Sequence, residues 1–174
     1  MNITDYKNTN DWFYIIPAAI LVDFIVIVLA KIPGEKPYFG VDALNDWYNK
    51  FGTLAILSDV TSLLIGIAAA RYIYTSLNLS NPILFIACLL IFQLFHDIFF
   101  FTAIITPIKK GHNAMIDVFK SYAKENGAKI LVADALMLVG SVLTANILKG
   151  LPDHFTVSTT LITLYALCYI IYTK

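Results

Sequence analysis

Five stretches of this chain are each long and apolar enough to cross a bilayer, and that leaves few folds open to it. A hydrocarbon core about 30 Å thick takes about 20 predominantly apolar residues of helix. Trp12 to Ala30, Gly52 to Tyr72, Pro82 to Ile105, Lys129 to Leu148 and Thr156 to Tyr172 come within reach of that length. In lipid every backbone N–H and C=O must find its partner inside the protein, so spans of this kind are helices. The sequence therefore predicts an all-α integral membrane protein with five transmembrane helices, residues 1–174 forming a single transmembrane domain. Only 14% of the residues are charged, against about 25% in soluble domains, so little chain is left for a water-facing domain. The first stretch could pass for a signal peptide, but its leader is not basic and it reads as a retained span. Cys88 and Cys168 fall inside apolar runs and read as packing residues, not as a disulfide or metal pair.

Lysine and arginine set an expected orientation. With five spans, Lys7, Arg71 and Lys149 fall on one side; Lys31, Lys36, Lys50, Lys109, Lys110, Lys120, Lys124, Lys129 and Lys174 fall on the other. The positive-inside rule then puts the long loops and the C-terminus in the cytoplasm, and the N-terminus outside or in a lumen. The sequons Asn2-Ile3-Thr4 and Asn78-Leu79-Ser80 both lie on the outer side. Two cytoplasmic segments have helical apolar spacing: Val41, Leu44, Trp47, Tyr48 and Phe51, then Met115, Ile116, Phe119, Tyr122 and Ala123. They read as amphipathic helices in the membrane interface, with short caps on the bundle as the alternative. Arg71, at the outer boundary, reads as a snorkelling side chain. His112 and His154 read as exposed loop residues. A formal net charge of zero offers no basic surface for nucleic acid. The expected partners are the lipid bilayer and further copies of the chain, as a homo-oligomer.

An internal repeat organises the first four spans. Asp23 is followed ten residues later by Pro33, and Asp97 ten residues later by Pro107. Beyond each proline comes an amphipathic segment, then Gly52 with Asp59 seven residues on, and Gly127 with Asp134 seven residues on. The offset is 74 to 75 residues, and Ile56-Leu57-Ser58-Asp59 stands against Leu131-Val132-Ala133-Asp134. The expectation is a tandem parallel duplication of a two-helix unit, repeat 1 over about 12–72 and repeat 2 over about 82–148, with 156–172 as an extra helix. Its axis would run along the membrane normal, as in parallel transporter repeats.

Ionisable residues inside spans carry the most functional information. An aspartate at the centre of a spanning helix costs about 2.5 kcal/mol or more, so it is a candidate site by default. Here the candidates are Asp23, Asp59, Asp97 and Asp134, with His96 beside them. At about 1.5 Å of rise per residue all four acids fall in one layer, roughly 8–14 Å from the cytoplasmic ends of their spans. Adjacent helical positions diverge by about 100°, so His96 and Asp97 are not expected to face one centre. Span two carries a small-residue stripe, Gly52, Ala55, Asp59, Ser62 and Gly66, that would let helices approach and turn Asp59 inward. Gln93 lies one turn before His96 and Asp97, Ser141 two turns after Asp134, and Tyr165 and Tyr169 near the same depth in span five. Gln93, Ser62, Ser141 and Tyr165 are thus expected supporting polar groups.

Such a layer suits ion handling first. Rings of acids bind cations or carry protons, and oxygen ligands suit a hard divalent ion, so a bound cation on these acids is the cofactor to consider. The second reading is a structural or assembly protein of a membrane, its acids forming hydrogen bonds between helices. A metal-dependent membrane enzyme comes third. Di-metal bundles use Glu with Glu-x-x-His, and here no span contains Glu; nor is there a nucleophile elbow, His-rich box, phosphate loop or Cys pair.

The stretch Lys110-Gly111-His112-Asn113-Ala114-Met115-Ile116-Asp117-Val118-Phe119-Lys120-Ser121-Tyr122-Ala123-Lys124-Glu125, with Gly127, Asp134 and the earlier His96-Asp97, resembles small multi-pass membrane proteins of large DNA viruses of algae and amoebae. The resemblance implies a viral origin and a place in a host or virion membrane. It carries no activity and no residue role.

Overall fold

The computed structural model describes residues 3–31 and 42–173, and every regular element among them is helical. Pro33, Lys36, Val41, Lys174 and the Asn2 sequon position lie outside the described residues. A short 3-10 turn, Thr9–Asp11, leads into α1, Trp12–Lys31. Then follow α2, Asp42–Phe51; α3, Thr53–Ser76; and α4, Pro82–Phe99, which continues as a π-helical segment, Phe100–Ile105. The last three are α5, Ala114–Asn126; α6, Lys129–Lys149; and α7, Asp153–Ile170.

Local chemistry explains the boundaries. Pro82 occupies the first turn of α4, where its missing N–H costs nothing, and Asn81 Oδ1 accepts from Ile83 N at 2.9 Å. Asn113 caps α5 by accepting from Met115 N and Ile116 N at 2.9 and 3.1 Å. Past the π-helical segment, Lys120 Nζ donates to the carbonyls of Thr106 and Ile108, placing a cation on the orphan acceptors of a helix end.

Four helical stretches, Thr9–Lys31, Thr53–Ser76, Pro82–Ile105 and Lys129–Lys149, are long and apolar enough to cross a membrane. They mark the chain as a membrane protein. Their outward faces carry large apolar side chains such as Leu57, Ile91, Phe95, Leu136 and Ile147, all well exposed, which in water would be an aggregation liability. α1 packs against α3, α6 and α7, α3 against α4 and α6, and α4 against α6, so the four form one bundle. Small residues line the contacts: Ala18 and Ala19 of α1, Ala70 of α3 and Ala145 of α6 are fully buried. A Cβ built on Gly66 would sit 3.1 Å from Leu138 Cδ2 and 3.4 Å from Gln93 Oε1. Close approach of α3 to α4 and α6 therefore depends on that missing carbon.

The expected fifth span forms α7, an 18-residue helix, but it is not among the four helices that are apolar enough to cross. Its first turn holds Asp153 and His154, and four threonines and a serine interrupt its apolar run. Thr156, Thr163, Leu167 and Ile171 make the stripe that meets the bundle.

α2 and α5 pack on each other, and α2 also packs on α1 and α3. Trp47 meets the Phe119 ring edge-on at 6.4 Å, and Phe119 in turn meets Phe100 at 6.4 Å. The Ala43 N–H donates to Glu125 Oε2 at 3.2 Å. The apolar faces of the two short helices are thus used on the protein's own end, as caps. α2 joins α3 through Gly52 alone, and α5 joins α6 through Gly127 and Ala128; Gly52 has φ 51°, ψ −122°, and Gly127 has φ 51°, ψ −131°. Side chains rarely tolerate that backbone.

Candidate functional site

The capped end of the bundle holds the aspartates. Asp23, on α1, is fully buried, and neither carboxylate oxygen has a hydrogen-bond partner. Asp59, on α3, accepts from the Trp47 indole N–H at both oxygens, 3.2 and 3.1 Å. Asp97, on α4, accepts from Gln93 Nε2 at 2.7 Å through Oδ1, while its Oδ2 is buried without a partner. Asp134, on α6, is half-buried. Asp23 lies within electrostatic range of Asp59, and Asp134 within range of both Asp59 and Asp97, so the acids form a connected row across the bundle. Among the described residues no three His, Cys, Asp or Glu groups come close enough to hold one metal ion. The layer expected from helix rise is a row of neighbours, not a cage.

Two tyrosines from the caps complete it. Tyr48, of α2, is buried beside Asp59 and within range of Asp23 and Tyr122; burial first, then those acids, pushes its phenol well above the ordinary tyrosine range. Tyr122, of α5, is pushed up to about 12 by burial and then by Asp134 and Asp59. The sequence places Trp47, Tyr48 and Tyr122 only on the apolar faces of amphipathic helices. The polar tip each carries is the signal for a site role, because a buried indole N–H or phenol seeks a partner.

Several expected partners stand elsewhere. His96 Nδ1 lies 3.2 Å from Asp97 Oδ1, although neighbouring helical positions diverge. The imidazole folds back along the helix and stacks between Phe92 and Phe100, with centroids 6.3 and 5.8 Å away. Gln93 is buried and does support Asp97. Ser62 is half-buried. Ser141 is buried but donates to Met137 O at 2.8 Å, one turn back in its own helix, and so does not serve the acids. Tyr165 is 68% exposed, its hydroxyl 3.2 Å from that of Tyr169. It lies about 200° around the helix from Thr163 and Leu167, which face the bundle. Tyr165 therefore lies outside the site.

At the opposite end, Arg71 does not snorkel. It is fully buried, and Nη2 donates to the carbonyls of Asp5 and Asn8 and to Asp11 Oδ2, the last at 3.1 Å. Its guanidinium lies 5.3 Å from the Trp12 ring centroid. Lys149 Nζ reaches Asp11 Oδ1 at 2.6 Å, so one buried carboxylate joins α3 and α6 to the N-terminal segment. Ile3 is fully buried, and Tyr6 N donates to Thr75 Oγ1 at 3.0 Å. Residues 3–11 thus lie strapped across that end of the bundle. Tyr14 Oη donates to Asp153 at 2.8 Å and ties α1 to α7.

Compared with protein-family models, with curated proteins and with solved structures, the chain gives no match. The arrangement of its own residues is what bears on its function.

Proposed function

We propose that this is a multi-pass membrane protein whose four-aspartate row binds and translocates protons or cations. The observation that carries the reading is Asp23. A carboxyl group buried with no donor at either oxygen is tolerated only if it holds a proton or meets a cation. Intramembrane acids of this kind mark ion pathways and proton relays.

The second reading, acids as interhelical hydrogen-bonding glue in a structural or assembly protein, draws on the contacts of Asp59 with Trp47 and Tyr48 of α2. It fits the other acids poorly: Asp97 is held by Gln93 of its own helix, and Asp23 makes no bond at all.

The same reading takes the first four spans as a tandem repeat. Gly52 N donates to Tyr48 O, and Ala55 N to Gly52 O; 75 residues on, Gly127 N donates to Ala123 O, and Ile130 N to Gly127 O. α1 meets α6 as α4 meets α3, and the two caps meet each other, contacts that support the reading of two parallel repeats about a pseudo-twofold axis. In this reading the caps lie at the cytoplasmic face, as the lysine distribution predicts. The N-terminal strap is then lumenal or external, and α7 is a fifth span added to the four-helix unit. The viral resemblance adds a host or virion membrane as the setting, and the lipid-facing α7 leaves room for self-association.

The test is ion flux into liposomes carrying wild-type protein or the Asp59→Asn/Asp134→Asn double variant. Loss of flux in the variant supports the reading. Flux equal to wild type, or wild-type liposomes as tight as empty ones, refutes it.

A further inference from the structure

We propose that Gln93, wedged against Gly66, positions Asp97 so that its Oδ2 is an oxygen at which the row exchanges its ion, and that this ion is a proton. This rests on the ion-handling reading above and names its substrate and one exchanging atom.

Gln93 is 5% exposed and reaches in two directions at once. Its Nε2 donates to Asp97 Oδ1 at 2.7 Å, one turn along α4. Its Oε1 faces α3, 3.4 Å from the point where a Cβ on Gly66 would stand. A carboxylate oxygen accepts and does not donate, so the amide is held with its nitrogen toward Asp97. The missing carbon at Gly66 leaves the amide oxygen its place. His96 Nδ1 comes to the same Oδ1 at 3.2 Å, its ring stacked between Phe92 and Phe100. A carboxylate beside an imidazole nitrogen keeps the hydrogen on that nitrogen, so two N–H donors converge on one oxygen.

Oδ2 differs: it is buried and has no partner among the described residues. The titratable groups facing Asp97 are His96 of its own helix and Asp134 of α6, and α3 presents Gly66 to Gln93. A carboxylate oxygen sealed from water without a donor is costly, and one proton removes that cost with no further ligand. A hard cation needs about six to eight oxygen ligands. Among the described residues no three His, Cys, Asp or Glu groups come close enough to hold a metal ion. With Oδ1 taken by donors, the proton has its place on Oδ2.

The step balances. Loading forms the O–H bond at Oδ2 as one O–H bond of a hydronium ion breaks, and the hydronium leaves as water. Unloading runs the same step backwards. Oδ1 stays with Gln93 in both states, so Asp97 keeps its position while its charge changes. Gln93 is a positioning residue, because it carries no proton and acts through Asp97.

The experiment uses the full chain in liposomes. Protonated Asp97 is read from its infrared carboxyl stretch, identified by its loss in Asp97→Asn, across a pH titration. Proton uptake is read by an internal pH dye under an imposed potassium diffusion potential. Gln93→Met keeps the length and removes the donor; Gly66→Ala leaves every polar group in place and presses on Gln93 Oε1. In both, the Asp97 band should move to higher frequency, because its carbonyl loses a donor. Uptake should slow about tenfold or more, since a misplacement of about 1 Å costs up to about 10² in rate. Should either variant fail to fold, the other decides. A band unmoved by the substitution, or uptake at the wild-type rate, overturns the positioning and leaves the acid row standing. An Asp97 band absent at every pH at which the protein stays folded overturns the proton, as does tracer sodium or calcium entering at constant internal pH. No flux of any ion with wild type overturns the ion-handling reading and the exchange with it, while the band still tells whether Gln93 holds Asp97.

Discussion

The buried carboxylate at the strap end sets up a measurable imbalance. Asp11 is the partner of two cations, Arg71 at 3.1 Å and Lys149 at 2.6 Å, and both its own side chain and that of Arg71 are essentially inaccessible. Asp11→Asn keeps the shape and removes the charge, so Arg71 is left buried with two carbonyl contacts and no carboxylate bonded to it. Breaking a buried pair in this way costs about 3–5 kcal/mol. Arg71→Met should cost less, about 1–3 kcal/mol, because Asp11 keeps Lys149 and only hydrogen bonds to a charged group are lost. In the double variant neither charge is stranded against the other, so the losses should fall short of additivity by about 0.5–3 kcal/mol. Reversible unfolding in mixed micelles titrated with a denaturing detergent, followed by helical circular dichroism, reads all four forms. A loss below about 1 kcal/mol for Asp11→Asn, or strict additivity, would show that water reaches Arg71 and that the strap is not sealed.

Other outcomes follow from single contacts. Gly66→Ala puts a carbon 3.1 Å from Leu138 Cδ2; overpacking of this kind costs about 1–3 kcal/mol in the same unfolding assay. A neutral result would mean the Leu138 side chain gives way. Tyr122, pushed up to about 12, should titrate after exposed tyrosines at about 10, as read by ultraviolet tyrosinate absorbance. The sign is that of a raised acid. The folded state holds its proton longer, so this contribution is intact below about pH 10 and is lost as the pH rises toward 12. Tyrosinate signal from all ten tyrosines by about pH 10 would contradict the burial. Tyr165→Phe should shift stability by less than about 0.5 kcal/mol and leave ion flux unchanged; lost flux would return Tyr165 to the site.

The spanning helices were legible because length and apolarity alone decide them: α1 begins at Trp12 as expected, and α6 runs one residue past Leu148. Rise per residue converts sequence position into an expected depth, and that is what singled out the four acids. What depth does not give is rotation about the helix axis. Tyr165 is expected near the depth of the acids but lies on the exposed side of α7, and Ser141 points inward yet is consumed by its own backbone. Nor does depth give partners distant in sequence. Asp11 and Arg71 are 60 residues apart, and each alone reads as an ordinary boundary charge. Trp47 and Tyr48 were visible as an apolar face. Their polar function appears only when Gly52 folds α2 back beside α3.

Those glycine joints also have a mechanical consequence. With one residue between α2 and α3 and two between α5 and α6, neither cap hangs on a long tether. Each is a rigid arm fixed at its root, and α2, at 10 residues, reaches about 15 Å from Gly52. A tilt of about 10° at the hinge would carry its far end about 2.6 Å, while Trp47 and Tyr48, nearer the pivot, move about half as far. That far end is tied to α5 by the bond from Ala43 N to Glu125 Oε2, so α2 is held at both ends.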